Sequence, residues 1–277
     1  MAYGTLYGVG VGPGASDLLT LRAVRVLRRA GVVVIPRRSE TASSLAWRIA
    51  GPEVGEVPGQ ERLFLTFPMT KDPAVLAPAW DEVFLQVGRR LEAGLDVAFI
   101  TEGDPLFFST FVYLMEAAPS RWPEARVEVV PGVSSLTAAA AVAGIPLVDG
   151  QERMAVVPAT YGVEDLAHVL EEFDTILLTK VSSHMAQVVE ALERQGLLDR
   201  AVYVSRATME GELVERDLRR VVQGRCDYFS MVVVSKKENN GLLLGQAAQR
   251  AVNDRPGGHS SRDQPAAGKL GGGMAGD

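Results

Sequence analysis

The sequence predicts an α/β protein built as two consecutive α/β units, and three observations carry that prediction. Short runs rich in Val, Ile and Leu alternate with longer stretches whose apolar residues return at helical spacing. Several junctions between them are glycine-bearing strand-to-helix turns, at Gly8-Val-Gly-Val-Gly-Pro-Gly14, Glu102-Gly-Asp-Pro105 and Pro131-Gly132. A polar connection over residues 119–125 then divides the chain, giving expected domains at 1–120 and 121–245.

Taken in order, residues 6–11 suit a buried strand, Gly12, Pro13 and Gly14 a turn, and Ser16 or Asp17 the cap of the following helix. The glycines approach the dinucleotide fingerprint without meeting it. In the register of Gly8 and Gly10 the third small residue falls on Pro13. The register of Gly10, Gly12 and Ala15 puts Pro13 inside the turn, where it lacks an N–H for phosphate. No Lys-Ser or Lys-Thr follows, which excludes a P-loop. On this turn alone, a nucleotide pocket and a plain strand-to-helix turn both remain open.

Leu19, Ala23, Val26, Leu27 and Ala30 then form the apolar side of a helix whose other side carries Arg22, Arg25, Arg28 and Arg29, with Gly31 as its expected C-cap. Residues 32–35 read as a strand ended by Pro36. Arg37 and Arg38 follow at its carboxyl end, where open α/β sheets place ligands, although as ordinary surface charges they would carry no function. A short helix is expected over residues 45–50 and a strand over 62–67. Leu76, Trp80, Val83, Phe84, Val87 and Leu91 mark a long helix stopped at Gly94, which makes Trp80 and Phe84 core residues. After a strand at 96–101, Gly103 permits close backbone approach, Asp104 can take hydroxyls or a cation, and Pro105 fixes the turn, so this loop is a candidate pocket wall. A strand from Arg126 leads through Pro131-Gly132 to Ser134 and Ser135, hydroxyls at a helix start with exposed N–H groups. The alanines from 138 to 141 permit close helix packing.

The second unit continues with strands at 154–157, 175–178, 201–205 and 228–235. Helices are expected at 163–171 and around Met185, Val188, Val189 and Leu192, and residues 212–223 do not declare an element type. Residues 253–277 are dominated by Gly, Ser and Pro and read as a disordered tail.

Composition narrows the function classes. A net charge of -6 argues against a nucleic-acid surface. The single cysteine, Cys226, excludes a disulfide framework and any multi-cysteine metal site and suits a reducing cytosol. His168, His184 and His259 have no ligand spacing, so no metal is expected. No apolar run reaches the roughly 20 residues of a membrane span. The expectation is a soluble cytoplasmic protein.

Four pieces in order resemble the tetrapyrrole (corrin/porphyrin) methylases: Gly8-Val-Gly-Val-Gly-Pro-Gly14 with Leu19-Thr-Leu-Arg-Ala23, Glu102-Gly-Asp-Pro105, Val130-Pro-Gly-Val-Ser-Ser135 with Ala143-Gly-Ile-Pro146, and Tyr228-Phe-Ser-Met231. The resemblance runs over about residues 4–240. It implies two α/β domains with S-adenosyl-L-methionine in the cleft between them, and a homodimer. Val34-Ile-Pro-Arg37, Phe67-Pro-Met-Thr-Lys-Asp72, Phe108-Ser-Thr-Phe111 and Tyr228-Phe-Ser-Met231 look most like the branch that methylates precorrin-2, or its cobalt form cobalt-factor II, at carbon 20 in cobalamin synthesis. Pro36 stands where the uroporphyrinogen III branch carries an acidic residue, which argues against that branch.

Carried over position by position, the resemblance makes Pro13, Gly103, Asp104, Phe107, Ser134, Ser135, Lys180 and Ala207 the cofactor contacts. Lys180 departs from the methionine frequent there, and a cation beside a sulfonium is unfavourable unless turned away. The implied substrate carries several carboxylates, which Arg37, Arg38, Arg48 and Lys71, from loops on the cleft side, would bind. Glu102 and Tyr161 are the candidates to assist proton loss from carbon 20. The alternatives are another corrin-pathway methylase, diphthine synthase, or a non-methylating dinucleotide-binding protein. The last lacks an acidic residue about 20 positions after the glycines, but Arg37 could meet the extra phosphate of NADP.

Overall fold

The computed structural model describes residues 2–237 except Met69, Lys71, Tyr161 and Arg225; the expected roles of Lys71 and Tyr161 and the expected tail at 253–277 lie outside the described residues. The first sheet is built from β1 (Thr5–Gly10), β2 (Val32–Arg37), β3 (Glu61–Thr66), β4 (Val97–Thr101) and β5 (Arg126–Val130), in the order β3-β2-β4-β1-β5. Every pairing is parallel. Parallel strands need crossovers, and α1 (Leu21–Arg29), α2 (Leu45–Val54), α3 (Pro73–Glu92) and α4 (Phe111–Arg121) lie between successive strands.

Strand alternation decides which helix covers which face. Val33, Ile35, Ala98 and Ile100 pack with Ala23 and Leu27 of α1 and with Ala46 and Ile49 of α2. Their neighbours Val32, Val34, Val97 and Phe99 pack on the other face with Val83, Val87 and Leu91 of α3 and Leu114 of α4. Because both faces are covered, the strands read as continuous apolar runs rather than alternating ones. Trp80 and Phe84 join this second layer, their rings 5.4 Å apart, as expected of core residues.

The second sheet has the order β6-β7-β10-β8-β9, from β6 (Met154–Pro158), β7 (Thr175–Thr179), β8 (Ala201–Ser205), β9 (Leu213–Glu215) and β10 (Ser230–Ser235). β6 and β7 are parallel, β10 runs antiparallel between β7 and β8, and β9 is antiparallel to β8. α6 (Val163–Glu172), α7 (Met185–Arg194) and α8 (Leu218–Gln223) cover one face through Leu166, Leu170, Val188, Leu192 and Leu218. The other face receives α5 (Ser135–Ala143), whose Leu136, Ala139 and Ala143 pack on Leu177, Val202, Val204 and Val233.

Four expectations change. The chain passes from one sheet to the other after Val130, not near residue 120, because β5 pairs with β1 through Val9↔Val130. The helix α1 is capped by Thr20, whose hydroxyl accepts the Ala23 N–H at 3.1 Å; Ser16 and Asp17 are taken up by a single 3₁₀ turn before it. Its C-cap is Ala30, one residue before the expected Gly31. The last strand starts at Ser230, leaving Tyr228 and Phe229 exposed ahead of it.

Candidate functional site

The connection leaving β1 runs to β2 on one side of the first sheet, and that leaving β4 runs to β5 on the other. The carboxyl ends of β1 and β4 therefore form the topological switch point, where open α/β sheets bind ligands. All the glycine turns anticipated from the sequence meet there. Gly12 and Gly103 exchange backbone hydrogen bonds, Gly103 N–H to Gly12 O at 2.8 Å and Gly12 N–H to Gly103 O at 3.3 Å. The third turn is pressed against both: a Cβ on Gly132 would lie 2.1 Å from Gly103 O and 2.8 Å from Gly10 Cα.

Asp104 ties the turns together. One carboxylate oxygen accepts the Leu106 N–H at 2.9 Å and the other the Gly132 N–H at 3.1 Å. A carboxylate accepting backbone N–H groups makes charge-assisted bonds worth about 1.5–3 kcal/mol each. The expected ligand-seeking side chain is thus first a clamp between the loop after β4 and the loop after β5. Ser134 is likewise engaged, capping α5 by accepting the Leu136 N–H at 3.3 Å, while Ser135 is exposed at the helix start.

The first turn is no phosphate cradle. The Val11 N–H goes to Thr101 O, the Gly12 N–H to Gly103 O and the Ala15 N–H to Thr208 Oγ1, and Pro13, which is buried, has none to give. These bonds take up N–H groups that a dinucleotide pyrophosphate would otherwise use. The first turn instead abuts the loop after β8: a Cβ on Gly14 would lie 2.4 Å from Met209 Cγ and 3.1 Å from Ala207 O.

Beside the clamp lies a cavity of about 250 Å³ bounded by Asp104, Leu106, Phe107, Gly132, Ser134, Leu136, Thr137, Leu147 and Met154. Its wall is largely apolar with a few polar groups, the usual make-up of a small-molecule site, and its volume is close to the lower bound of about 300 Å³ typical of one. Phe107, Asp104 and Ser134 all border it.

The sequence missed the strained residues around this site. The described residues other than glycine with positive φ are Phe108 (52°), Lys180 (55°), Arg206 (52°) and Thr208 (63°). They stand in the loops after β4, β7 and β8, all at carboxyl ends, and such strain of about 1–3 kcal/mol each persists where surrounding structure imposes it. Nothing in a Phe, Lys, Arg or Thr signals a left-handed backbone. Thr179 was also missed: it alternates with Leu177 onto the face that α5 covers, and its Oγ1 is buried with no hydrogen-bond partner. Lys180 holds its ammonium 5.2 Å from the Phe108 ring centroid, across from one sheet's loop to the other's.

The expected substrate cluster is less concentrated. Arg37 is the last residue of β2, its guanidinium 5.7 Å from the Phe64 ring centroid, with Nη1 donating to Glu40 O at 2.7 Å and Nε buried without a partner. Arg38 is exposed beyond it. Arg48 lies in α2, not in a loop, because the helix already begins at Leu45 behind its Ser44 cap. Glu102 is exposed at the end of β4, and its side chain makes no ion pair or hydrogen bond among the described residues. No cluster of His, Cys, Asp and Glu that could hold a metal occurs among the described residues, and none of their helices is long and apolar enough to cross a membrane.

A parallel five-stranded sheet whose three glycine turns gather at one switch point, followed by a mixed five-stranded sheet, defines the class as a two-sheet α/β protein with a small-molecule site at the strand ends. The family model for Tetrapyrrole (Corrin/Porphyrin) Methylases matches residues 5–221, and the chain belongs to that family. It is 37% identical over 235 residues to a cobalt-precorrin-2 C(20)-methyltransferase of Salmonella typhimurium, covering 84% of this chain and 97% of that one. It is 32% identical to a precorrin-2 C(20)-methyltransferase of Sinorhizobium sp, covering 83% and 95%. Among solved structures, a cobalt precorrin-4 methyltransferase aligns with TM-score 0.61 at 24% identity over 83% of this chain and 94% of its own. A uroporphyrin-III C-methyl transferase from Thermus thermophilus, complexed with S-adenosyl homocysteine, aligns with TM-score 0.60 at 24% identity over 84% and 98%. These two likenesses concern the fold.

Proposed function

We propose that the chain is an S-adenosylmethionine-dependent C-methyltransferase acting on carbon 20 of precorrin-2 or its cobalt form in cobalamin synthesis. The observation that carries this reading is the junction of the Gly12, Gly103 and Gly132 turns, clamped by Asp104 beside an apolar cavity, in a chain 37% identical to a relative with that name. The site fits the cofactor by its own chemistry. Its glycine backbones approach too closely for any Cβ at Gly132, and its cavity offers Phe107 and Leu136 to a flat apolar ring and Ser134 and Thr137 as polar groups on its wall.

When bound, S-adenosylmethionine supplies an electrophilic methyl group on a sulfonium. The protein's work is to position and to exclude water. Phe107 and the apolar cavity wall close one side, carried by the loops after β4 and β5 that Asp104 clamps, and Pro13 and Ala207 stand in the abutting loops after β1 and β8. Arg37, at the carboxyl end of β2 with its Nε unspent, is the first choice for a substrate carboxylate, and Arg38 extends the same edge. Glu102, exposed just beyond β4, is the described candidate to take the proton from carbon 20.

The reading extends to a homodimer, supported by the exposed Tyr113 and Tyr228, and to the cytoplasm, supported by a free thiol at Cys226. The deciding experiment supplies methyl-labelled S-adenosylmethionine with metal-free precorrin-2 and, separately, with cobalt-factor II, and locates the new methyl by NMR. Label at carbon 20 is the expected product. Label elsewhere on the ring, or binding of a nicotinamide cofactor in place of S-adenosylhomocysteine, would overturn the assignment.

A further inference from the structure

We infer that the Lys180 side chain is a carboxylate anchor for the tetrapyrrole, a contact on the second sheet's side of the cleft that complements Arg37 on the first. The inference rests on the proposed function and deepens it, because a lysine in this loop has no evident use toward the cofactor. A cation near a sulfonium is repelled by it, so only the Lys180 backbone suits a cofactor contact. The structure sends the side chain elsewhere. Its Nζ sits over the ring of Phe108, at 5.2 Å from the centroid, and Phe108 itself is 62% exposed.

Three features separate Lys180 from an ordinary surface lysine. First, its backbone is left-handed, φ 55° and ψ 36°, a conformation a lysine adopts at a cost and that here aims the side chain back toward the first sheet's loop. Second, the residue it reaches, Phe108, is strained in the same way at φ 52°, so both ends of the contact are held in rare conformations. Third, its charge has no carboxylate within ion-pair distance among the described residues, whereas Lys237 pairs with Glu152 and Lys236 donates to Glu171 O at 2.9 Å. An ammonium resting on an aromatic face keeps N–H donors free on the side away from the ring, because the ring attracts the charge without accepting all of its hydrogen bonds. The pair presents an unneutralised cation beside an exposed apolar ring. That combination suits a flat macrocycle edged with carboxylates: the ring of Phe108 meets the macrocycle and Lys180 meets an acidic side arm.

The test uses the full chain and two variants, Lys180→Met and Lys180→Arg. Uroporphyrin III, a stable octacarboxylate tetrapyrrole, serves as the binding probe, read by fluorescence quenching at low and high salt. S-adenosylhomocysteine binding is measured by calorimetry, and KM and kcat with cobalt-factor II. Lys180→Met is expected to weaken uroporphyrin III about five- to tenfold at low salt, less at high salt, and to raise KM more than it lowers kcat. S-adenosylhomocysteine affinity is expected to stay within twofold, and Lys180→Arg to retain most of the binding. Wild-type affinity for uroporphyrin III in Lys180→Met, or an equal loss for uroporphyrin III and S-adenosylhomocysteine, would overturn the anchor while leaving the methyltransferase reading intact. A wild-type chain that neither binds uroporphyrin III nor methylates cobalt-factor II would overturn both.

Discussion

Replacing Gly132 by alanine tests whether the three-turn junction is the organising feature of the site. The added Cβ would stand 2.1 Å from Gly103 O, 2.8 Å from Gly10 C and 2.8 Å from Gly10 Cα, all backbone atoms that cannot rotate away. Relief requires the loop after β5 to withdraw by more than an ångström, which also breaks the 3.1 Å bond from the Gly132 N–H to Asp104. Overpacking of this kind costs about 1–3 kcal/mol and the lost charge-assisted bond a further 1.5–3 or so, giving an expected destabilisation of roughly 3–5 kcal/mol. Gly103→Ala is the internal control. There the nearest atom to a new Cβ is the Ser135 N, 3.8 Å away, so the only cost is the φ of +65°, about 1–2 kcal/mol. Urea unfolding followed by circular dichroism, with S-adenosylhomocysteine calorimetry on the folded variants, separates the two. Gly132→Ala should lose most of its cofactor affinity and Gly103→Ala much less. Equal stabilities for the two variants would refute the argument, since it depends on contact at Gly132 and its absence at Gly103.

Asp104→Asn should cost about 1–3 kcal/mol and weaken S-adenosylhomocysteine, because an amide offers one acceptor oxygen where the carboxylate serves both the Leu106 and Gly132 N–H groups; thermal melts and calorimetry read both effects. Arg37→Ala should raise the apparent dissociation constant for uroporphyrin III several-fold and leave S-adenosylhomocysteine unchanged, and equal weakening of both would count against a substrate role. The hydrogen bond from Arg90 holds the Glu61 carboxyl below its ordinary range, with burial opposing. A depressed folded pKa contributes stability that is present above the unfolded pKa and lost as pH falls through the folded one. Glu61→Gln should therefore be less stable than wild type by under about 1 kcal/mol at pH 7, the pair being partly exposed, with the difference closing in urea titrations as pH falls below the ordinary carboxylate range. Burial pushes the Cys226 thiol upward, so its reaction with a disulfide reagent at pH 8 should be slower in the native chain than in urea.

Much of the first sheet was legible because its strands are buried on both faces. Val32-Val-Val-Ile35 and Val97-Ala-Phe-Ile100 can only be interior strands, and the helix of Trp80, Phe84 and Leu91 shows its apolar face plainly. The turns were legible as turns. Their meeting was not, since nothing local states that β1 and β4 are neighbours and that β5 lies on the far side of β1. The same blindness put the division of the chain at the polar stretch 119–125, which is only the last turn of α4 and the short loop before β5. Residues 212–223 resisted reading because β9 is three residues long and α8 six, too short for either period to repeat. Arg48 was readable as a helical residue, since Leu45, Ala46, Ile49 and Ala50 repeat at helical spacing behind the Ser44 cap, and grouping it with the loop residues Arg37 and Arg38 runs against that spacing.

The position of α5 explains why the site needs both halves of the chain. β5 is hydrogen-bonded into the first sheet, yet α5, which follows it directly, buries Leu136, Ala139 and Ala143 on the second. The segment between them, Pro131-Gly-Val-Ser134, therefore has one end fixed by each sheet, and it is this segment that Asp104 clamps and that borders the cavity. Small residues on α5 let it lie close to β7 and β8, so its first turn is set by the packing of a sheet to which the chain has not yet contributed a strand. A cavity made beneath α5 by Val202→Ala or Leu177→Ala, about 1–4 kcal/mol in stability, should thus weaken S-adenosylhomocysteine although neither residue borders the cavity. The equivalent change on the opposite face of the same sheet, Ile176→Ala in the cluster packed by α6, α7 and α8, should lower stability alone. The difference between the two faces in calorimetric affinity, at matched loss of stability, measures how far the turn's geometry is imposed by α5 and how much by Asp104.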